Sequence, residues 1–201
     1  MERVLVMPVL IFEGVQGVGK SALIDKLFEQ GYIHTLPFSR VQAPNVEEYV
    51  KRNIVQTQHD GQKIIEYADL HPDYFFVVDR FTASEYVFGQ ICKRKQDYSW
   101  ITSLETDMSK HDILLVYVCS NCDFICSNIW KRRAAYFADL TVQNIPEALR
   151  LYNEYLEKTP LEILTFHNSY LSTLTENAGD LWAAIKEWSK HKRKKAHGSH
   201  L

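Results

Sequence analysis

The sequence has no apolar run approaching the ~18 residues of a membrane-spanning helix, so a helical membrane protein is not expected. It also has no internal repeat, no low-complexity stretch and no linker ahead of its last dozen residues, which leaves a single folded unit as the expectation. Cysteine is scarce, limited to Cys92, Cys119, Cys122 and Cys126. The last three run C-x2-C-x3-C from a strand end into a helix, with no histidine at ligand spacing nearby. Reduced thiols in a cytoplasmic interior are therefore expected, rather than a metal knot or a disulfide framework. Positive charge is also short over most of the chain. The formal net charge is −2, but the stretch from Lys190 to Leu201 holds five Lys/Arg and no acid. Residues 1–189 then carry 18 basic against 25 acidic side chains, a charge of −7, which makes a nucleic-acid-binding surface unlikely. The tail reads as a solvated, disordered terminus, with a polybasic contact arm as the alternative.

What is present is ordinary for a soluble globular protein: 46% hydrophobic and 24% charged residues in a chain of 201. The expected organisation is one domain over residues 1–189 and the basic tail over 190–201. The opening MERVLVMPVLIF is apolar enough to imitate a secretory signal. It leads directly into the motif below, so it is read as a core strand.

That motif is VLIFEGVQGVGKS, Val9 to Ser21. A short apolar strand breaks into Gly14-Val15-Gln16-Gly17-Val18-Gly19-Lys20-Ser21, and Ala22 to Glu29 reads as a helix; Gly14, Gln16, Gly17, Val18, Gly19, Lys20, Ser21 and Ala22 are the candidate ATP-binding residues. The glycine-to-GKS spacing in a strand–loop–helix setting defines a phosphate-binding loop. Glycines allow the backbone to wrap an anion with successive N–H groups pointing inward, and the helix N-terminus adds partial positive charge. Lys20 supplies a point charge for the outer phosphates of ATP, and the Ser21 hydroxyl is suited to ligate Mg²⁺.

Further elements follow in order. A short strand is expected over Tyr32 to Leu36, after a helix ended by Gly31. A helix starts at the cap Asn45, is interrupted at His59-Asp60-Gly61 and resumes to about Leu70. Tyr74 to Val78 is the strongest strand; helices follow over about Thr82–Lys93 and Ser99–Met108. Asp112 to Val118 is the fourth strand, and a helix capped by Ser120 or Asn121 delivers Lys131-Arg132-Arg133. Pro146 opens a helix ended by Pro160, Leu161–Phe166 is the fifth strand, and a last helix covers about Ala178–Ser189. Strands alternating with helices give an α/β, three-layer domain with a parallel sheet.

Asp79 stands directly after the buried third strand. A carboxylate there can reach Mg²⁺ beside Ser21, although Asp is also a good helix cap. Arg80 is suited to clamp a phosphate in bidentate fashion. Phe38, Arg40, Phe81, Tyr86 and Phe88 are candidates for an aromatic base pocket with an arginine rim, or simply for core.

The loop E-G-x-x-G-x-G-K-S, followed some sixty residues later by Asp79-Arg80-Phe81-Thr82-Ala83-Ser84, resembles thymidylate kinase and its nucleoside-kinase relatives. The wording DRF…SEYVFG is especially similar to small thymidylate-kinase-like proteins of phages and bacteria. The resemblance spans roughly residues 9 to 189. It implies a five-stranded P-loop kinase fold with a lid segment after the fourth strand's helix. It also implies transfer of the γ-phosphoryl group of ATP, with Mg²⁺, to a small-molecule nucleotide, foremost dTMP, and a possible homodimer. By the same resemblance Asp79 serves the Mg²⁺ region, Arg80 grips the acceptor phosphate, and Arg132 and Arg133 belong to the lid. Read from the residues alone, Lys131-Arg132-Arg133 can equally be a solvated basic face.

Two departures matter. The family commonly places an acid and a proline after its second strand, but here Leu36-Pro37-Phe38-Ser39-Arg40 carries no carboxylate. A hydroxyl nucleophile benefits from such a base, whereas a phosphate nucleophile is already an anion. The absence tilts the expectation toward a monophosphate acceptor. The alternative is a kinase acting on a hydroxyl of a deoxynucleoside or modified base, with Glu85 as candidate base. The alanine-tyrosine-glutamine end of the thymidylate kinase motif is also missing, with Val87-Phe88-Gly89 nearby, which puts thymine specificity in question. A nucleotide switch is disfavoured because no guanine-reading N-K-x-D and no obvious water-orienting glutamine motif occur. A degenerate binding module is disfavoured because Lys20, Ser21 and Asp79 are intact.

Overall fold

A computed structural model describes residues 8–36, 45–71, 73–132 and 141–198 of the 201-residue chain, with side chains described through residue 131 and over 141–192 within those limits. Its centre is β1 (Val9–Glu13), all five residues of which are buried. A strand buried on both faces reads as a continuous apolar run, and Val9 to Phe12 is one. Around it stand β2 (His34–Thr35), β3 (Phe76–Asp79), β4 (Ile113–Cys119) and β5 (Glu162–His167). The sheet order is β2-β3-β1-β4-β5, with every pair parallel.

The helices among the described residues include α1 (Lys20–Glu29), α2 (Val46–Leu70), α3 (Thr82–Ile91), α4 (Ser99–Met108), α5 (Cys122–Arg132), α6 (Ile145–Leu156) and α7 (Leu174–Gly198). They cover both faces of the sheet, in pairs α1 with α7, α3 with α6 and α2 with α4. The α/β three-layer architecture expected from the alternation of elements is the observed one. None of the helices among the described residues is long and apolar enough to cross a membrane.

Several boundaries differ from expectation for physical reasons. The expected break at His59-Asp60-Gly61 is absent, and α2 runs unbroken for 25 residues. Gly61 is there for packing: a Cβ at this position would come within 2.7 Å of Leu104 Cδ1 on α4. The helix accepts the ~1 kcal/mol cost of an interior glycine to bring α4 close. Strand β2 is only two residues long because it is an edge that begins after a helix-ending turn. Gly31 adopts φ +70° there, and Tyr32 N–H bonds back to Leu27 O at 3.1 Å. The last helix continues to Gly198, through much of the basic stretch expected to be a disordered tail. Lys192 Nζ lies 2.7 Å from Glu162 Oε1, and Trp188 Nε1 donates to Glu162 Oε2 at 2.8 Å.

The sheet places the ends of β1 and β3 side by side, with Phe12 in register with Asp79. The strand order reverses next to β1, where the connection from β1 leads to one edge and that from β3 crosses to β4 on the other side. A crevice outside the strand ends is the expected ligand position in such sheets.

Candidate active site

The loop from Gly14 to Gly19 joins β1 to α1, and its glycines at 14, 17 and 19 all have positive φ. The need is also steric at Gly17, where a Cβ would stand 2.7 Å from Ile125 O and 2.8 Å from Ile129 Cγ1. Two asparagines hold carbonyls of the loop. Asn128 Nδ2 donates to Gly17 O at 2.9 Å, and buried Asn168 Nδ2 donates to Val18 O at 2.7 Å. Sequence reading missed both, because each is isolated in the chain and brought in by the ends of α5 and β5.

Val15 to Ser21 line a cavity of about 290 Å³ with Asp79, Arg80, Asn128 and Ile129. Lys20 is 3% exposed and its ammonium pairs with the Asp79 carboxylate. Burial pushes its amine down to about 7, with Arg80 adding to the effect and Glu13 opposing it. An anion in the loop would favour the charged amine again. Ser21 Oγ donates to Asp79 Oδ2 at 3.1 Å. Ser21 and Asp79 thus bring a hydroxyl and a carboxylate together, a hard oxygen set of the kind Mg²⁺ prefers.

Arg80 is the hinge of the site. It is a non-glycine residue in the left-handed region, φ +70°, a conformation that costs on the order of 1–3 kcal/mol and persists only where surrounding bonds over-determine it. Those bonds are visible. Arg80 N–H donates to Phe12 O at 3.0 Å, and the next N–H, that of Phe81, donates to Glu13 Oε1 at 2.6 Å. The guanidinium lies 5.3 Å from the Phe88 ring centroid, and its Nη1 donates to Ser84 Oγ at 3.2 Å.

Beyond Arg80 opens a second cleft of about 670 Å³. Leu36, Phe81 and Phe88 give it apolar walls, while Asn53, Gln56, Thr57 and Asp60 project from α2. Asp79 and Arg80 line both this cleft and the loop cavity. Glu85, a sequence candidate, does line the cleft, but both carboxylate oxygens accept from Arg94 Nη1 at 3.0 Å, and Oε1 also accepts from Gln96. Arg94 itself sits 4.7 Å from the Tyr49 ring centroid. The α2 residues were not foreseen, since polar side chains along a helix look locally like a solvated face and only the packing of α2 over the strand ends turns them to the cleft.

Of the residues predicted for the site, the structure brings together Gly14, Gln16, Gly17, Val18, Gly19, Lys20, Ser21, Asp79 and Arg80 at the strand ends, with Ala22 in the first turn of α1. Phe81 and Glu85 face the cleft beside them. Phe38, Arg40 and Arg133 lie outside the described residues, and of Arg132 only its position at the end of α5 is described. Tyr86 is turned away from the cleft. Its hydroxyl donates to Glu154 at 2.8 Å, and its ring packs against Tyr98 and Tyr155.

Glu13 is the largest omission. It is fully buried at the end of β1, where its carboxylate accepts from Phe81 N–H, Ser84 N–H, Ser84 Oγ and the Tyr152 hydroxyl. The sequence motif includes this glutamate, but nothing local reveals that its partners are some seventy residues away or more.

Comparison with solved structures identifies the architecture. The fold is that of the thymidylate and deoxynucleoside kinase-like P-loop proteins. The chain is similar to the YorR protein of Bacillus subtilis, solved with phosphorylated GDP (TM-score 0.61, 18% identity, covering 91% of this chain and 98% of that one). It is similar to deoxyadenosine kinase from M. mycoides with bound dATP (TM-score 0.55, 14% identity, 89% and 98% covered). It is also similar to thymidylate kinase from Candida albicans (TM-score 0.59, 14% identity, 92% and 93% covered). No protein-family model and no curated protein sequence matches the chain.

Proposed function

We propose that this protein is a nucleotide kinase that transfers the γ-phosphoryl group of ATP to a (deoxy)nucleoside monophosphate. The observation that carries the reading is the position of Asp79 and Arg80 on the wall shared by the two cavities. One cavity is built for phosphates, and the other has the apolar walls and few polar groups suited to a nucleoside. The likeness in fold to a deoxyadenosine kinase and a thymidylate kinase supports the coarser part of this reading, phosphoryl transfer to a nucleoside or nucleotide.

In this mechanism the loop backbone from Gly14 to Gly19, with Gln16, Val18, Ala22 and the N-terminus of α1, holds the β- and γ-phosphates, and Lys20 neutralises their charge. Ser21 and Asp79 would hold Mg²⁺, which when bound shields the phosphate oxygens and orients them. Arg80 aligns the acceptor phosphate with the γ-phosphoryl group, so the rate enhancement comes mainly from positioning and charge neutralisation. Phe81 and Phe88 form the apolar wall against the acceptor nucleoside. Arg132 and Arg133, with Phe38 and Arg40 from the loop after β2, belong to the same proposal as lid and rim. So do a homodimeric state and a cytoplasmic setting.

A monophosphate acceptor is favoured over a hydroxyl by what Glu85 does. Its carboxylate is occupied by Arg94 and Gln96. A base for a hydroxyl would have to give up those bonds, whereas a phosphate acceptor needs no base. That dTMP is the acceptor rests on the sequence resemblance. Calorimetric titration tests the reading directly: monophosphates should bind at least ~10-fold more tightly than their nucleosides, and Arg80→Ala should erase that preference. Equal affinity for both in the wild-type protein would overturn the monophosphate assignment.

A further inference from the structure

We propose that Glu13 is a positioning residue that aims Arg80 at the acceptor phosphate, through Ser84, and locks it to the phosphate loop. The inference rests on the kinase reading above, and it concerns a residue with no contact to either cavity in its own right.

The carboxylate serves two jobs at once. Its Oε1 accepts from the backbone N–H groups of Phe81 (2.6 Å) and Ser84 (3.1 Å), two donors at the start of α3. No side chain from α3's own flank caps this helix, so the cap is supplied by a strand-end carboxylate from β1. A negative charge at a helix N-terminus is electrostatically favoured, which is how an anion can be fully buried here. Its Oε2 accepts from Ser84 Oγ at 2.6 Å and from Tyr152 OH at 3.3 Å. Tyr152 OH also approaches Gly14 O at 3.2 Å, so the same hydroxyl touches the first residue of the phosphate loop.

The direction of these bonds matters. An ionised carboxylate only accepts, so Ser84 Oγ must donate its proton to Glu13. Its lone pairs are then turned toward Arg80 Nη1, which donates to them at 3.2 Å. The order Arg80 to Ser84 to Glu13 fixes the plane of the guanidinium. Meanwhile the Phe81 N–H bond to Glu13 and the Arg80 N–H bond to Phe12 O pin the peptides on both sides of the left-handed residue. Glu13 and Gly14 are consecutive, so the donor loop and the acceptor clamp share one rigid frame. A misplacement of about 1 Å at a reacting group can cost on the order of 100-fold, which is why such a frame matters for rate as well as for stability.

Glu13→Gln is the informative change. It keeps an oxygen for the α3 cap but places an amide NH₂ toward Ser84, which must then turn its hydroxyl proton away. Turnover with ATP and a monophosphate is measured for the wild type, E13Q, R80A and E13Q/R80A. The expected result is a kcat about tenfold lower for E13Q with the KM for ATP unchanged, and no further loss when E13Q is added to R80A. Ser84→Ala should reproduce the E13Q defect, and E13Q/S84A should be no worse than either single variant. An undiminished kcat in E13Q, or a full tenfold loss in the R80A background, would overturn the proposal. Absence of wild-type turnover with any monophosphate would instead count against the kinase reading. Glu13 is then judged by titrating inorganic phosphate into the ADP-saturated protein. There E13Q should weaken binding about tenfold in the wild-type background and not at all in R80A. Equal phosphate affinity in E13Q and wild type would overturn it on that readout.

Discussion

The phosphate loop and the acceptor cleft meet at Arg80 but are built on opposite principles. The loop is contiguous: six residues between β1 and α1 whose glycine spacing and terminal lysine state their purpose locally. The cleft is assembled from Leu36, α2, the end of β3, α3 and Arg94, of which only the junction of β3 and α3 carries a motif. The loop can be defined by spacing because a phosphate would be held by backbone N–H groups, which need only the right φ values. The cleft reads shape with side chains, so its chemistry is set by which surfaces the sheet order brings together. Even the loop depends on distant residues, since Asn128 and Asn168 hold its carbonyls.

That difference sorts the expected effects of substitution. The largest belong to charges aimed at the transition state. Lys20→Ala and Arg80→Ala should each reduce kcat by at least ~100-fold in a coupled ATP-consumption assay. Near-normal turnover in either would remove that residue from the mechanism. Next come the supports of the loop. Asn168→Ala leaves the Val18 carbonyl without its amide donor in a buried setting, and the KM for ATP should rise about tenfold while the KM for the acceptor stays put. A parallel change in both KM values would mean that the two regions are not separable in this way. Arg94→Ala should do the reverse, because it frees Glu85 inside the acceptor cleft. The KM for the acceptor is expected to rise several-fold, on the order of 1 kcal/mol, with the KM for ATP unchanged.

The smallest effect is one of stability. Buried Glu105 on α4 accepts from the Tyr155 hydroxyl and from Thr159 Oγ1 at 2.8 Å, and burial raises its carboxyl above the ordinary 4.5. Between 4.5 and that raised value the folded protein binds more protons than the unfolded chain. Stability from this group is therefore fullest near pH 4.5 and is lost as pH climbs through the folded value. Relative to Glu105→Gln, the wild-type Tm should gain on acidification from neutral pH toward 5. A Tm difference independent of pH over that window would show that Glu105 is not protonated in the folded state.

Sequence reasoning reached the sheet, the loop and the DRF strand end because each is marked by contiguous residues: an apolar run, a glycine spacing, a carboxylate after a buried strand. It divided α2 at His59-Asp60-Gly61 because glycine is a helix breaker locally, while the reason for Gly61 is Leu104 on a helix forty residues away. It passed over Glu13 although the residue lies inside the most informative motif. The value of that carboxylate is set by Phe81, Ser84 and Tyr152, and only the register of β1 beside β3 and the packing of α6 bring them within reach. Tyr86 shows the converse: its place in the motif suggests contact with substrate, but it bonds to Glu154, whereas Glu85 lines the cleft with its carboxylate engaged by Arg94.

On the proposed function, the γ-phosphoryl group of ATP is joined to a phosphate rather than to a hydroxyl. The most direct measurement is incubation of the purified protein with Mg·ATP and each of the deoxynucleosides and deoxynucleoside monophosphates, with products separated and weighed by mass spectrometry. A nucleoside diphosphate should form from at least one monophosphate, foremost dTMP, and should be lost in Arg80→Ala. Formation of a monophosphate from a nucleoside, with no diphosphate from any monophosphate, would overturn the monophosphate assignment.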